Sequence, residues 1–137
     1  MDSNYRKELA IAFDVLQKAA SLSQTVVSAQ DKAGIEKDDF SPVTVADFAV
    51  QGLLAATFHG AFPEDNFVGE ENASYLRQNA TLLDRVWELL STVPRDGLTR
   101  LPESKEKLCD LIDLCGSGVP ERKRTWVFDP IDGTRTC

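Results

Sequence analysis

The segment Trp126-Val127-Phe128-Asp129-Pro130-Ile131-Asp132-Gly133-Thr134 constrains the fold more than any other stretch of the chain. An apolar run enters it, and two carboxylates and a Gly-Thr step leave it. In a strand, residues two apart share a face and residues three apart do not. Asp129 and Asp132 therefore converge only if the chain turns between them. Pro130 favours that turn by fixing φ and lacking an N–H, and Gly133 permits the tight backbone that follows. Such a turn aims the Ile131 carbonyl beside both carboxylates, and two carboxylates with a carbonyl make an oxygen-rich site suited to Mg²⁺. A helix opening near Thr134 would point free N–H groups at an anion such as phosphate. A plain Asp-Gly turn with solvated acids explains the same residues, so the motif by itself leaves both readings open.

The rest of the chain sets bounds on that site. At 137 residues there is room for about one domain. The 42% hydrophobic and 27% charged content suits a soluble globular protein. A net charge of −7 argues against a nucleic-acid polymer or an anionic membrane as partner. It does not argue against a small phosphorylated substrate, because a bound cation inverts the local charge. No secretory h-region follows the polar N-terminus, and no run approaches membrane-spanning length. Cys109, Cys115 and Cys137 are odd in number and lack a zinc spacing. They read as reduced thiols in an intracellular, cytoplasmic protein rather than as catalytic groups. His59, the only histidine, sits between Phe58 and Gly60 and reads as a helix-end or surface residue.

Periodicity predicts four helices. The first runs from about Tyr5 to Ser28, with Leu9, Ala12, Phe13, Leu16, Ala20, Val26 and Val27 as its apolar stripe. Ala29 to Asp39 is polar, contains Gly34 and reads as a loop. The second begins at Thr44, with Ala46, Ala49, Val50, Leu53, Leu54 and Phe58 on one stripe. Thr44-Val45-Ala46-Asp47 has the form of a capping box, which gives Asp47 a purely structural role. The third spans about Asn79 to Thr92 with a broad apolar face, and the fourth about Ser104 to Cys115. Phe67-Val68 reads as a short buried strand ending in Gly69-Glu70-Glu71, and Thr125 to Phe128 as a second strand. Further strands are expected around Ala29 to Phe40 and early in the segment after Glu71. Gly116-Ser117-Gly118 lacks the spacing of a phosphate-binding P-loop, and Glu121-Arg122-Lys123-Arg124 reads as a solvated charge run.

Taken singly, these acids are ambiguous; in order they form a set. Thr44-x-x-Asp47, Val68-Gly69-Glu70-Glu71 and Asp129-Pro130-Ile131-Asp132-Gly133-Thr134 together resemble the lithium-sensitive, magnesium-dependent phosphomonoesterase family that includes inositol monophosphatase. Phe40-Ser41-Pro42-Val43-Thr44-Val45-Ala46-Asp47 and Phe62-Pro63-Glu64-Asp65-Asn66-Phe67-Val68-Gly69-Glu70-Glu71 resemble the first two blocks of its 3′(2′),5′-bisphosphate nucleotidase branch. The long segment 72–128 between the second and third motifs also favours that branch.

The resemblance, which covers about residues 5 to 135, implies a layered α/β sugar-phosphatase fold, of which residues 1–137 would be the N-terminal portion. It implies that Glu70, Asp129, Asp132 and the Ile131 carbonyl ligate Mg²⁺. Asp47 and the Thr134 hydroxyl would orient the attacking water, and Gly133 and Thr134 would offer N–H groups to the phosphate. Glu71 would stand behind the ligands. The implied reaction converts 3′-phosphoadenosine 5′-phosphate and water to AMP and phosphate, as in sulfate assimilation. The corresponding phosphosulfate is a second substrate, and Li⁺ an inhibitor. Phosphoryl transfer of this kind needs mainly positioning and charge neutralisation.

Family members continue beyond the Gly-Thr step, where Arg135 matches and Thr136-Cys137 does not. The chain is therefore expected to lack a half that carries the last metal-binding aspartate and the base-binding residues, to show weak activity or none, and to leave apolar surface uncovered. Inositol polyphosphate 1-phosphatase shares the same acids and remains an alternative. A haloacid-dehalogenase-like site needs acids two apart, not three. A non-catalytic acidic helical module that binds a protein partner is the alternative from another class. The sequence does not fix the oligomeric state.

Overall fold

The computed structural model describes residues 6–33, 42–95, 97–116 and 124–128. Five helices and two strands follow in the order α1 (Arg6–Ala33), α2 (Pro42–Ala61), β1 (Asn66–Gly69), α3 (Ala73–Gln78), α4 (Ala80–Leu90), α5 (Lys105–Leu114) and β2 (Thr125–Phe128). The strands pair in parallel, Phe67 opposite Trp126 and Gly69 opposite Phe128. Parallel neighbours need a long crossover, and α3, α4 and α5 supply it. The result is an α/β arrangement, as the sequence implied.

The core is built on α2, whose residues Val45 to Phe58 are all buried. A helix enclosed on every side must be apolar all round, and α2 packs on α1, α4 and α5. Gly52 allows the closest of these approaches, because a Cβ there would run into Leu108 Cδ1 of α5. Ser104 caps α5 by accepting from Lys107 N–H at 3.1 Å, and Asn72 caps α3 by accepting from Ser74 N–H at 2.8 Å. Leu82, Val86 and Leu90 of α4 and Leu108, Cys109 and Ile112 of α5 point into the core.

Strand alternation puts Phe67 and Gly69 on the inner face with their partners Trp126 and Phe128. There Phe58 meets Trp126 at 4.5 Å between ring centroids and Phe128 at 5.7 Å. Val68 and Val127 are partners on the opposite face, 43% and 71% exposed. Both are apolar side chains exposed on the outer face of the pair.

Several expectations are corrected. The buried stripe of α1 is Ile11, Val15, Ala19 and Leu22, whereas Leu9, Phe13 and Leu16 are exposed. The helix carries two apolar stripes, and only one faces α2. It also continues through Ala33, so 29–33 is neither loop nor strand. Residues 34–40 lie outside the described residues. Helix α2 begins at Pro42, a residue suited to a helix's first position, so Thr44 lies inside the first turn and does not cap it. The segment after Glu71 opens with helix α3 rather than a strand.

Arg124 is not simply solvated. Its Nε donates to Asp65 Oδ2 at 2.9 Å and its Nη1 to Glu8 Oε2 at 2.7 Å. The guanidinium lies over the rings of Phe62 and Trp126. Asp65 Oδ2 also accepts from Trp126 Nε1 at 2.8 Å, and Asn66 N–H donates to the Arg124 carbonyl at 2.7 Å. This cluster fastens the start of β2 to the start of β1, and so fixes their register.

Candidate metal and phosphate site

The register carries the chain to the site. Glu70 follows Gly69 at the carboxyl end of β1, and Asp129 follows Phe128 in sequence at the end of β2. In open parallel sheets, ligands bind beyond the carboxyl ends of the strands. Glu70 is exposed there and Glu71 is partly buried. Asp129, Ile131, Asp132, Gly133 and Thr134 lie outside the described residues. Among the described residues no group of three or more His, Cys, Asp or Glu side chains is placed to hold a metal ion.

Asp47 lies on α2. It is a buried carboxylate in the body of the helix, not the third residue of a capping box. One turn further on, at the i+4 position that shares its face, lies Gln51, also fully buried. Gln51 Nε2 donates to the Glu71 carbonyl at 3.1 Å, and Glu71 N–H donates to Gln51 Oε1 at 2.9 Å. The side-chain amide passes so close to β1 that a Cβ at Gly69 would lie 2.5 Å from Gln51 Cδ. Through Gln51, therefore, the structure joins the Asp47 face of α2 to the end of β1.

Sequence reasoning missed Gln51. A polar residue inside an otherwise apolar stripe, four after a candidate acid, was the available signal. The hydrogen-bond partner twenty residues away was not readable.

The two described thiols and the histidine are not reactive groups of this site. Cys109 and Cys115 are free and buried. Burial raises the pKa of Cys109 and pushes that of Cys115 up to about 11, so neither is a ready thiolate nucleophile. His59 lies in the last turn of α2, half-buried, its ring edge-on to Phe67 at 6.0 Å. That agrees with a helix-end histidine.

Glu70, exposed beyond β1, and Asp47, buried in α2, carry oxygen donors of the type a hard divalent cation such as Mg²⁺ takes.

The inositol monophosphatase family model matches residues 4–136. The chain belongs to the inositol monophosphatase family. Within this family it is similar to proteins named 3′(2′),5′-bisphosphate nucleotidase. The relative from Emericella nidulans is 36% identical over 139 residues, covering 96% of this chain and 39% of the relative. The Schizosaccharomyces pombe relative is 35% identical, covering 98% of this chain and 40% of the relative. The one from Oryza sativa is 36% identical, covering 96% and 38%. The chain thus spans about two fifths of the length of the curated relatives it matches.

Proposed function

We propose that this chain supplies the metal-binding part of a magnesium-dependent phosphomonoesterase that removes the 3′-phosphate of 3′-phosphoadenosine 5′-phosphate. The observation that supports it best is the parallel pair β1–β2. Its register ends at Gly69 opposite Phe128, one residue before Glu70 and Asp129, in a chain 35–36% identical to nucleotidases from three different organisms. On this reading Glu70, Asp129, Asp132 and the Ile131 carbonyl hold Mg²⁺. Bound there, the cation supplies charge neutralisation and a lowered pKa for water.

The chain's own groups orient the water and the phosphate. Asp47, paired with the Thr134 hydroxyl, accepts a hydrogen bond from the attacking water and aims it at phosphorus. The N–H groups of Gly133 and Thr134 hold the phosphate oxygens. A P–O bond to water forms as the P–O3′ bond breaks, one proton of the water ends on the 3′-oxygen of the leaving AMP, and the other stays on the released phosphate. Glu71 contributes through its backbone, by way of Gln51, rather than as a ligand. The corresponding phosphosulfate is a second substrate.

No helix among the described residues is long and apolar enough to cross a membrane. The free thiols Cys109 and Cys115 suit a reducing compartment, and we place the protein in the cytoplasm on that basis. A relative from Arabidopsis thaliana is named as mitochondrial.

The test is phosphate release from 3′-phosphoadenosine 5′-phosphate by a chain of the relatives' full length carrying these residues. Release that requires Mg²⁺, is suppressed by Li⁺ and exceeds that from inositol 1,4-bisphosphate is expected. Preference for the inositol substrate would reassign the substrate class, and release indifferent to Mg²⁺ would remove the cation from the reaction.

A further inference from the structure

We propose that Gln51 is a positioning residue for Glu70: its buried carboxamide clamps the Glu71 backbone at both polar groups and thereby fixes the direction in which Glu70 leaves β1. This inference rests on the metal reading of Glu70 and deepens it.

A buried amide is unfavourable unless hydrogen-bonded, and an apolar side chain would fill the same space on α2. The amide's placement therefore calls for an explanation in its partners. Those partners are the N–H and the C=O of one residue, Glu71, at 2.9 and 3.1 Å. Gln51 thus stands where a neighbouring strand would stand, and extends the hydrogen bonding of β1 one residue beyond Glu70. The clamp satisfies both polar groups of a partly buried residue and, by holding them together, sets the direction of the backbone beyond β1.

Two neighbours keep the amide in place. Gly69 leaves the room it occupies, since a Cβ would lie 2.6 Å from Oε1 and 2.7 Å from Nε2. The Cys115 thiol lies against the amide as well, and burial keeps that thiol protonated, with a pKa of about 11. Because Gln51 and Asp47 share a face of α2, the same side chain ties Glu70 to the helix that carries the second carboxylate.

A comparator is built into the same helix. Thr57 Oγ1 donates to the Arg100 carbonyl at 3.2 Å and accepts from Arg100 N–H at 3.0 Å. This is the same two-bond device on a fully buried residue, but it grips a loop that carries none of the proposed ligands.

The experiment measures Mn²⁺ affinity of this chain by the loss of the free-ion paramagnetic signal, alongside the melting temperature. Glu70→Gln is expected to weaken binding, which tests the metal reading itself. Gln51→Met, of similar size without the hydrogen bonds, is expected to weaken it about 10–100-fold, the range for residues that orient metal ligands. Gln51→Asn, which keeps the amide but draws it back by one methylene, is expected to weaken it in the same direction and serves if the Met variant does not fold. Thr57→Val is expected to lower the melting temperature and leave Mn²⁺ affinity unchanged. If Glu70→Gln weakens binding while both Gln51 variants bind like wild type, the clamp proposal fails and the metal reading stands. If Thr57→Val loses as much affinity as Gln51→Met, Gln51 acts only through general stability and the proposal is likewise overturned. If Glu70→Gln leaves affinity unchanged, both fall together.

Discussion

Asp14 shows how single side chains in this protein hold distant segments. Its carboxylate accepts from the Thr99 hydroxyl at 2.7 Å, from Leu98 N–H at 3.0 Å and from Lys18 Nζ at 3.2 Å. It thereby fastens α1 to the loop before α5, where Gly97 takes a positive φ of 64°. The Thr99 hydrogen bond, aided by Lys18 and Leu98 and opposed by burial, holds the Asp14 pKa below its ordinary value. A carboxyl whose folded pKa is depressed contributes stability above its unfolded pKa and loses it as pH falls through the folded one. We therefore expect unfolding stability to decline as pH drops below about 4. In Asp14→Asn that part of the decline should be absent, with lower stability at neutral pH. Urea unfolding of both proteins across an acid pH series checks this; parallel curves would contradict it. The same logic explains why Gln51, Asp65 and Arg124 were illegible in the sequence. Each acts through a partner far along the chain, and no local period encodes such a pairing. Glu70 and Asp47 were legible as candidate acids because an apolar strand or stripe delivers them, and that pattern is local.

At the scale of elements, α2 organises the molecule. Its contact with α5 depends on Gly52, where an added Cβ meets Leu108 Cδ1. Gly52→Ala should destabilise the chain by about 1–3 kcal/mol through overpacking. In a Leu108→Ala background, where the opposing side chain is gone, that penalty should vanish, a non-additivity expected of touching residues. Chemical denaturation of the four proteins of this cycle measures it; additive losses would show that the two helices do not meet there. Helices α2, α4 and α5 and both strands were readable because burial imposes their periods. Helix α1 was readable as a helix but not in its orientation. Ile11-Val15-Ala19 and Leu9-Phe13-Leu16 are both good apolar stripes, and only the tertiary partner chooses between them. Helix α3 is too short for periodicity to mark. Its Asn72 cap was the available signal.

For the molecule as a whole, a family fold puts the carboxyl end of a parallel strand pair where the proposed site would lie. The register lock at Asp65, Arg124 and Trp126 lies at one end of that pair. The Gln51 clamp lies at the other. On the proposed function, both would help to aim Glu70 and the chain after Phe128 at one site. The exposed Val68–Val127 face belongs to the same sheet and leaves its outer side open. On the proposed function, Asp47 and Glu70 serve chemistry rather than folding. The measurement that tests it most directly is the turnover of 3′-phosphoadenosine 5′-phosphate by Asp47→Asn and Glu70→Gln in a chain of the relatives' full length, with thermal unfolding recorded on the same samples. The account predicts that kcat falls by about 10²–10³, the range for removing one preorganised electrostatic group, while each variant remains folded. Undiminished turnover in either variant, or a loss explained by unfolding alone, would contradict it.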